Sequence, residues 1–126
     1  MLISRDGGET WLDPIDISSD ELFSQEHSSY VTIGPNGEVY AAWKTNRRGI
    51  RFSKSLDGGL TWTSDLVVDD DLHPYQNSDD VRGNVTIKVD LKSSRIGKIY
   101  ISSMDDGGKE QPFGDSYIIS SNDGGL

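Results

Sequence analysis

Cysteine is absent from the 126-residue sequence, which removes disulfides, zinc–thiolate sites and thiol nucleophiles together and leaves the redox compartment open. Long apolar runs are missing too, and with them any membrane-spanning helix. No secretory leader is read, because Met1, Leu2 and Ile3 run directly into a polar, Gly-rich stretch. Basic side chains are scarce. Twelve Lys and Arg stand against 21 Asp and Glu, a formal net charge of −9, so a nucleic-acid backbone or an anionic membrane is repelled overall and neither is an expected partner. A local basic pocket is compatible with that balance.

What the chain has is glycine, 14 residues in turn-like settings, and 33% hydrophobic residues, enough for one soluble domain with a modest core. It also repeats itself. Residues 55–62 read Ser-Leu-Asp-Gly-Gly-Leu-Thr-Trp, residues 4–11 read Ser-Arg-Asp-Gly-Gly-Glu-Thr-Trp, and residues 121–126 read Ser-Asn-Asp-Gly-Gly-Leu. Each residue type suits a tight turn leading into a strand. Ser and Asp side chains bond nearby backbone groups, the glycines supply left-handed backbone angles, and Thr and Trp begin a strand with the indole offering a large apolar face for burial. Asp6, Asp57 and Asp123 are the residue type of a catalytic acid or a calcium ligand, but a carboxylate recurring inside a Gly-rich turn is more simply a turn lock.

The pattern S-x-D-x-G-x-T-W resembles the Asp-box of the bacterial neuraminidase repeat, found in sialidases and their relatives. On that resemblance Ser4, Asp6, Gly8, Trp11, Ser55, Asp57, Gly59, Trp62, Ser121, Asp123 and Gly125 are structural residues. Each box then closes the hairpin between the third and fourth strands of a propeller blade, on the rim opposite the active site. A decoy at 103–107, Ser-Met-Asp-Asp-Gly, fits the first half of the pattern. It begins only six residues after Gly97, too few for two strands and a turn, and Lys109 and Glu110 stand where Thr and Trp belong.

The expected fold is therefore all-β, a partial β-propeller of four-stranded antiparallel blades, with one complete blade and parts of two others. Residues 1–17 end one blade, with a strand from Trp11 that Pro14 confines to an edge, and 18–28 form a polar connection with Phe23 tucked beneath. Residues 29–68 make the complete blade, with strands at 30–33, 38–43, 50–54 and 61–68 joined by a Gly34-Pro35-Asn36-Gly37 turn, a turn at 44–49 and the central box. Residues 83–126 make the truncated blade, with strands at 84–90, 97–103 and 115–120. Closed propellers of this family have more blades than these, and part of a ring leaves apolar faces and strand edges uncovered. Two explanations are open: a piece of a longer reading frame, or a homo-oligomer that closes a ring from several copies.

Ligand-binding residues are expected from the rim opposite the boxes, that is from 18–28, 44–49, 69–82 and 104–114. The resemblance implies three arginines on a substrate carboxylate, for which the planar guanidinium fork is suited, an Asp acid/base and a Tyr nucleophile activated by Glu. Candidates on that rim are Arg47, Arg48, His73, Tyr75, Asp79, Asp80 and Arg82, with Glu26, His27, Asp69 and Asp70 nearby. A full catalytic set is not assembled from them, and the family's Arg-Ile-Pro element is missing, since Arg95-Ile96 is followed by Gly97. Arg47 and Arg48 also suit a solvated turn, and Arg82 also suits pairing with Asp79 or Asp80. Asp69, Asp70 and Asp71 are a candidate calcium cluster without the spaced ligands and glycine of a helical calcium loop; no other cofactor is expected. The functional expectation is a sialidase-like protein, a fragment of a secreted glycoside hydrolase acting on terminal sialic acids, outside the cell or in the periplasm. The alternative is a non-catalytic propeller module that binds glycan or protein.

Overall fold

A computed structural model describes residues 1–18, 26–45, 49–69, 84–92, 97–104 and 116–125. These residues form two antiparallel sheets and contain no helix. The first sheet is a meander of β1 (Glu26–Ile33), β2 (Val39–Thr45), β3 (Gly49–Ser55) and β4 (Leu66–Asp69). The second is a meander of β5 (Thr86–Val89), β6 (Ile99–Met104) and β7 (Ser116–Ser121).

Alternation of side chains gives each sheet its two faces. From the first sheet Tyr40, Ala42, Ile50 and Phe52 pack against Val85, Ile87, Ile99 and Ile101 of the second, forming the core. The Tyr40 and Phe52 rings stack within it at 6.1 Å between centroids. β2 is buried along its whole length, because residues 1–17 and the second sheet lie on its opposite sides. β7 alternates between exposed and half-buried, since only one of its faces is covered.

Several boundaries differ from expectation, each for a local reason. β1 starts at Glu26, inside the segment assigned to a connection, and the ladder slips between His27 and Ser29. Ser28 sits in that bulge with a φ of 50°. Its hydroxyl accepts from the Val85 N–H at 3.0 Å and donates to Asn84 at 3.3 Å, tying β1 to the entry of β5. The strand expected over 61–68 is regular only from Leu66. Thr63 replaces the ladder before it, its N–H donating to the Lys54 carbonyl at 2.9 Å and its hydroxyl accepting from the Lys54 N–H at 3.2 Å. The expected strand from Trp11 is reduced to isolated pairings, Leu12 N–H to Ile3 carbonyl and Ile15 N–H to Met1 carbonyl, both 2.9 Å, because Pro14 between them has no N–H to give. The expectation for Phe23 lies outside the described residues.

Both sheets run the same way. The Lys44 ammonium donates to the Met104 carbonyl at 3.0 Å at one end, and the Lys54 ammonium to the Gly124 carbonyl at 3.1 Å at the other. The Gly-rich loops therefore gather at one end of the molecule. Thr45, Gly49, Asp69, Met104 and Ser116 mark the opposite end, where the chain enters or leaves residues 46–48, 70–83 and 105–115.

Candidate functional site

The three Ser-x-Asp-Gly-Gly loops are the most fully determined polar clusters in the described residues, and all three are built alike. In residues 55–62 the Ser55 hydroxyl donates to Asp57 Oδ1 at 2.7 Å and accepts from the Gly59 N–H at 2.7 Å. Asp57 Oδ1 also accepts from the N–H groups of Leu60 at 3.0 Å and Thr61 at 2.9 Å, while Oδ2 takes the Thr61 hydroxyl at 2.6 Å. The Trp62 indole N–H closes the loop on the Gly59 carbonyl at 2.8 Å.

Residues 4–11 repeat the bonds of the Ser, the second Gly and the Thr. Ser4 donates to Asp6 at 2.8 Å and accepts from Gly8 N–H at 2.7 Å, and Asp6 accepts the Thr10 N–H at 2.9 Å and its hydroxyl. Ser121 likewise donates to Asp123 and accepts from the Gly125 N–H at 2.9 Å. Both glycines of every loop have positive φ, 73° and 97° at Gly58 and Gly59 for example, so a side chain at either position strains the turn.

Successive loops also touch in the same sense. The residue before each loop serine reaches the Gly-Gly pair of the next loop: Ile3 lies over Gly59, where a Cβ would come within 2.8 Å of it, and Lys54 bonds the Gly124 carbonyl. Trp62 is half-buried beside that contact. Trp11 is 59% exposed despite its identical place in the motif, and among the described residues nothing lies within 4 Å of a Cβ built on Gly8. The large buried face expected of Trp11 is therefore not formed. The same place in the motif thus gives a half-buried indole at Trp62 and an exposed one at Trp11.

The electrostatics follow from the bonds. The Thr61 hydroxyl, then the Thr61 N–H, then the Ser55 hydroxyl hold the Asp57 carboxyl well below the usual carboxylate range. Thr10 and Ser4 do the same for Asp6. A general acid needs the opposite shift. Because the folded value is lowered, the stabilisation is present above the unfolded carboxyl pKa of about 3.9 and is lost as pH falls below it. These carboxylates act as fixed acceptors at any pH where a protein of this kind works.

Glu38 is a further buried acid at the same end of the sheets. Its carboxylate accepts from the Asn36 N–H at 2.9 Å and the Asn36 side-chain amide at 2.8 Å, and the amide is the main cause of its lowered pKa. Burial, then the Glu38 charge, raises the Tyr40 hydroxyl.

Arg47, Arg48, His73, Tyr75, Asp79, Asp80 and Arg82 lie outside the described residues, as do Asp70 and Asp71 of the candidate calcium cluster. Asp69 closes β4 opposite Ile50 at the end away from the loops, and the Glu26 and His27 backbones pair with Thr45 and Lys44 at that same end. Among the described residues no three His, Cys, Asp or Glu side chains are grouped to hold a metal ion. One feature not foreseen is a cavity of about 280 Å³ between residues 1–17 and the first sheet, lined by Met1, Ile17, Ser29, Val31, Ala41 and Trp43. Its only signal in the sequence is the alternation of Ser29, Val31, Ala41 and Trp43 onto one face.

No protein-family model matches this sequence, and no curated protein gives a significant match.

Proposed function

We propose that this chain is a sialidase-like Asp-box repeat protein, a partial β-propeller that engages glycans ending in sialic acid at the end of its sheets away from the Gly-rich loops. The observation that carries this reading is the use of each loop's Ser and Asp by bonds within its own turn, repeated at 4–11, 55–62 and 121–125. Carboxylates committed in that way support hairpins and leave ligand chemistry to other residues.

On this reading the segments that connect strands at the opposite end, 46–48, 70–83 and 105–115, carry the chemistry. Arg47, Arg48 and Arg82 belong to them and supply guanidinium forks for a sialic acid carboxylate. The parent protein is a glycoside hydrolase working outside the cell or in the periplasm. Ligand-observed NMR with a sialylated oligosaccharide and its desialylated counterpart tests the assignment. Saturation transfer to the sialylated form only, abolished by Arg82→Ala, is the expected result; equal transfer to both, or to neither, overturns it. Release of product from a fluorogenic sialoside separates an enzyme from the second reading, a non-catalytic module that retains the glycan unchanged.

A further inference from the structure

The Gly-rich end of the sheets carries a peptide unit that is reactive in its own right. Asn36-Gly37 is the one Asn-Gly pair in the sequence, and it lies in the turn between β1 and β2, with Asn36 and Gly37 exposed and Glu38 buried. Asparagine is thermolabile, most of all before glycine, where no side chain hinders the approach of the next backbone nitrogen to the amide carbon. The reaction balances with water as its only co-reactant. The Gly37 nitrogen bonds to Asn36 Cγ, the Cγ–Nδ2 bond breaks, and Nδ2 leaves as ammonia with the proton given up by the Gly37 N–H. Water then opens the succinimide ring at one of its two carbonyls. A carboxylate is left at position 36, in a chain linked either through the ordinary backbone carbonyl or through the former side-chain carbonyl.

Each group that must move is held. Glu38 grips Asn36 twice, Oε2 accepting the Asn36 N–H at 2.9 Å and Oε1 the side-chain amide at 2.8 Å. The Gly37 N–H, whose nitrogen must attack, donates to the Gly34 carbonyl at 3.2 Å. Glu38 is only 7% exposed, and Gly34 gives it room: a Cβ there would come within 2.6 Å of Glu38 Oε2 and 2.7 Å of the Tyr40 ring. The Asn36 amide keeps the Glu38 carboxyl below the usual carboxylate range, so it is an anion at neutral pH. An adjacent anion disfavours loss of the Gly37 proton, and an ionised carboxylate has no proton to give the leaving nitrogen.

We propose that Asn36 is a deamidation site that Glu38 holds closed in the folded protein, and that conversion there unlatches the turn irreversibly. In the product a negatively charged oxygen replaces the donor that Glu38 Oε1 received, so two carboxylates face each other where a hydrogen bond stood, and each disfavours ionisation of the other. The disturbance extends to Tyr40 and through it to the core, because Gly34, Glu38 and Tyr40 are packed together. No residue at the proposed sialoside-binding end takes part, so either proposal stands without the other.

Peptide mapping by mass spectrometry after incubation at mildly alkaline pH tests this, reading the mass gained as the amide becomes an acid and the separate elution of the two products. The expected result is conversion at Asn36 that is slower by about tenfold or more in the folded protein than in guanidinium chloride, a scale set by the worth of a hydrogen bond to a charged group. Glu38→Gln keeps the shape but loses the charge and one acceptor, and it should remove most of that protection while far-UV circular dichroism shows the variant folded. Thr61→Ala removes a bond to Asp57 in another turn and should keep the wild-type rate. Asn36→Asp should lower the urea midpoint, and adding Glu38→Gln should restore part of it. Equal rates in the folded and unfolded chain, a Glu38→Gln rate no faster than wild type, or equal acceleration by Thr61→Ala overturns the gating by Glu38. An Asn36→Asp midpoint at or above the wild-type value overturns the unlatching.

Discussion

Replacing Asp65 with alanine is expected to lower the stability of this protein by about 3–5 kcal/mol, the loss typical of breaking a buried ion pair from one side. Asp65 Oδ2 lies 2.7 Å from Arg51 Nη1, and the Arg51 and Asp65 side chains are only 6% and 1% exposed. The pair spans β3 and the approach to β4, where the ladder slips between Ile50 and Arg51. Removing the carboxylate takes a charged acceptor from a guanidinium whose side chain is only 6% exposed. The urea midpoint measures the effect, with an unchanged m-value showing that the transition remains a single cooperative step. Replacing both residues together, Arg51→Met with Asp65→Leu, should recover most of the loss, because apolar side chains of similar volume commonly substitute for a buried ion pair at little cost. A midpoint that Asp65→Ala leaves in place would show that the pair is hydrated.

Phe52→Ala should produce a loss of similar size, about 3–5 kcal/mol for a buried aromatic ring. The Phe52 ring joins three parts of the structure: it stacks on Tyr40, belongs to the cluster shared by both sheets, and fills the space at Gly125, where a Cβ would approach it to 2.5 Å. The cavity left behind therefore loosens the second sheet and the last loop together. Ile118, three residues before Ser121 as Phe52 is three before Ser55, provides the control. At 72% exposure, Ile118→Ala should shift stability by no more than about 0.5 kcal/mol. Thermal or urea unfolding of the two variants side by side checks the contrast, and equal losses would contradict the burial of Phe52 and the exposure of Ile118.

Much of this architecture is legible in the sequence because it is local. The Ser/Asp/Gly/Gly loops are specified within eight residues, and the strand alternation at 30–33, 38–43 and 97–103 falls where β1, β2 and β6 form. Features that depend on distant partners leave no comparable trace. Ser28 adopts a left-handed conformation because Asn84 and Val85 lie beside it, and the burial of Asp65 depends on Arg51 across the sheet. Trp11 and Trp62 make the point with one motif: they hold the same place in the Ser-x-Asp-Gly-Gly-x-Thr-Trp pattern, yet Trp11 is 59% exposed and Trp62 half-buried. For the candidate site, residue type and topology place Arg47, Arg48 and Arg82 in segments leaving one end of the sheets, but side-chain convergence there is a matter of long-range geometry that spacing does not encode.

The claim on which the account depends is that the recurring aspartates are fixed hydrogen-bond acceptors rather than chemical groups. Titrating the side-chain carboxyl carbons of Asp6 and Asp57 by NMR in metal-free buffer measures this directly. The account predicts that both stay ionised well below the range of an ordinary carboxyl, and that Thr61→Ala moves Asp57 upward while leaving Asp6 in place. A carboxyl in either loop that titrates at or above about 4 would mean that its turn does not hold it, and the loops would then return as candidates for the chemistry.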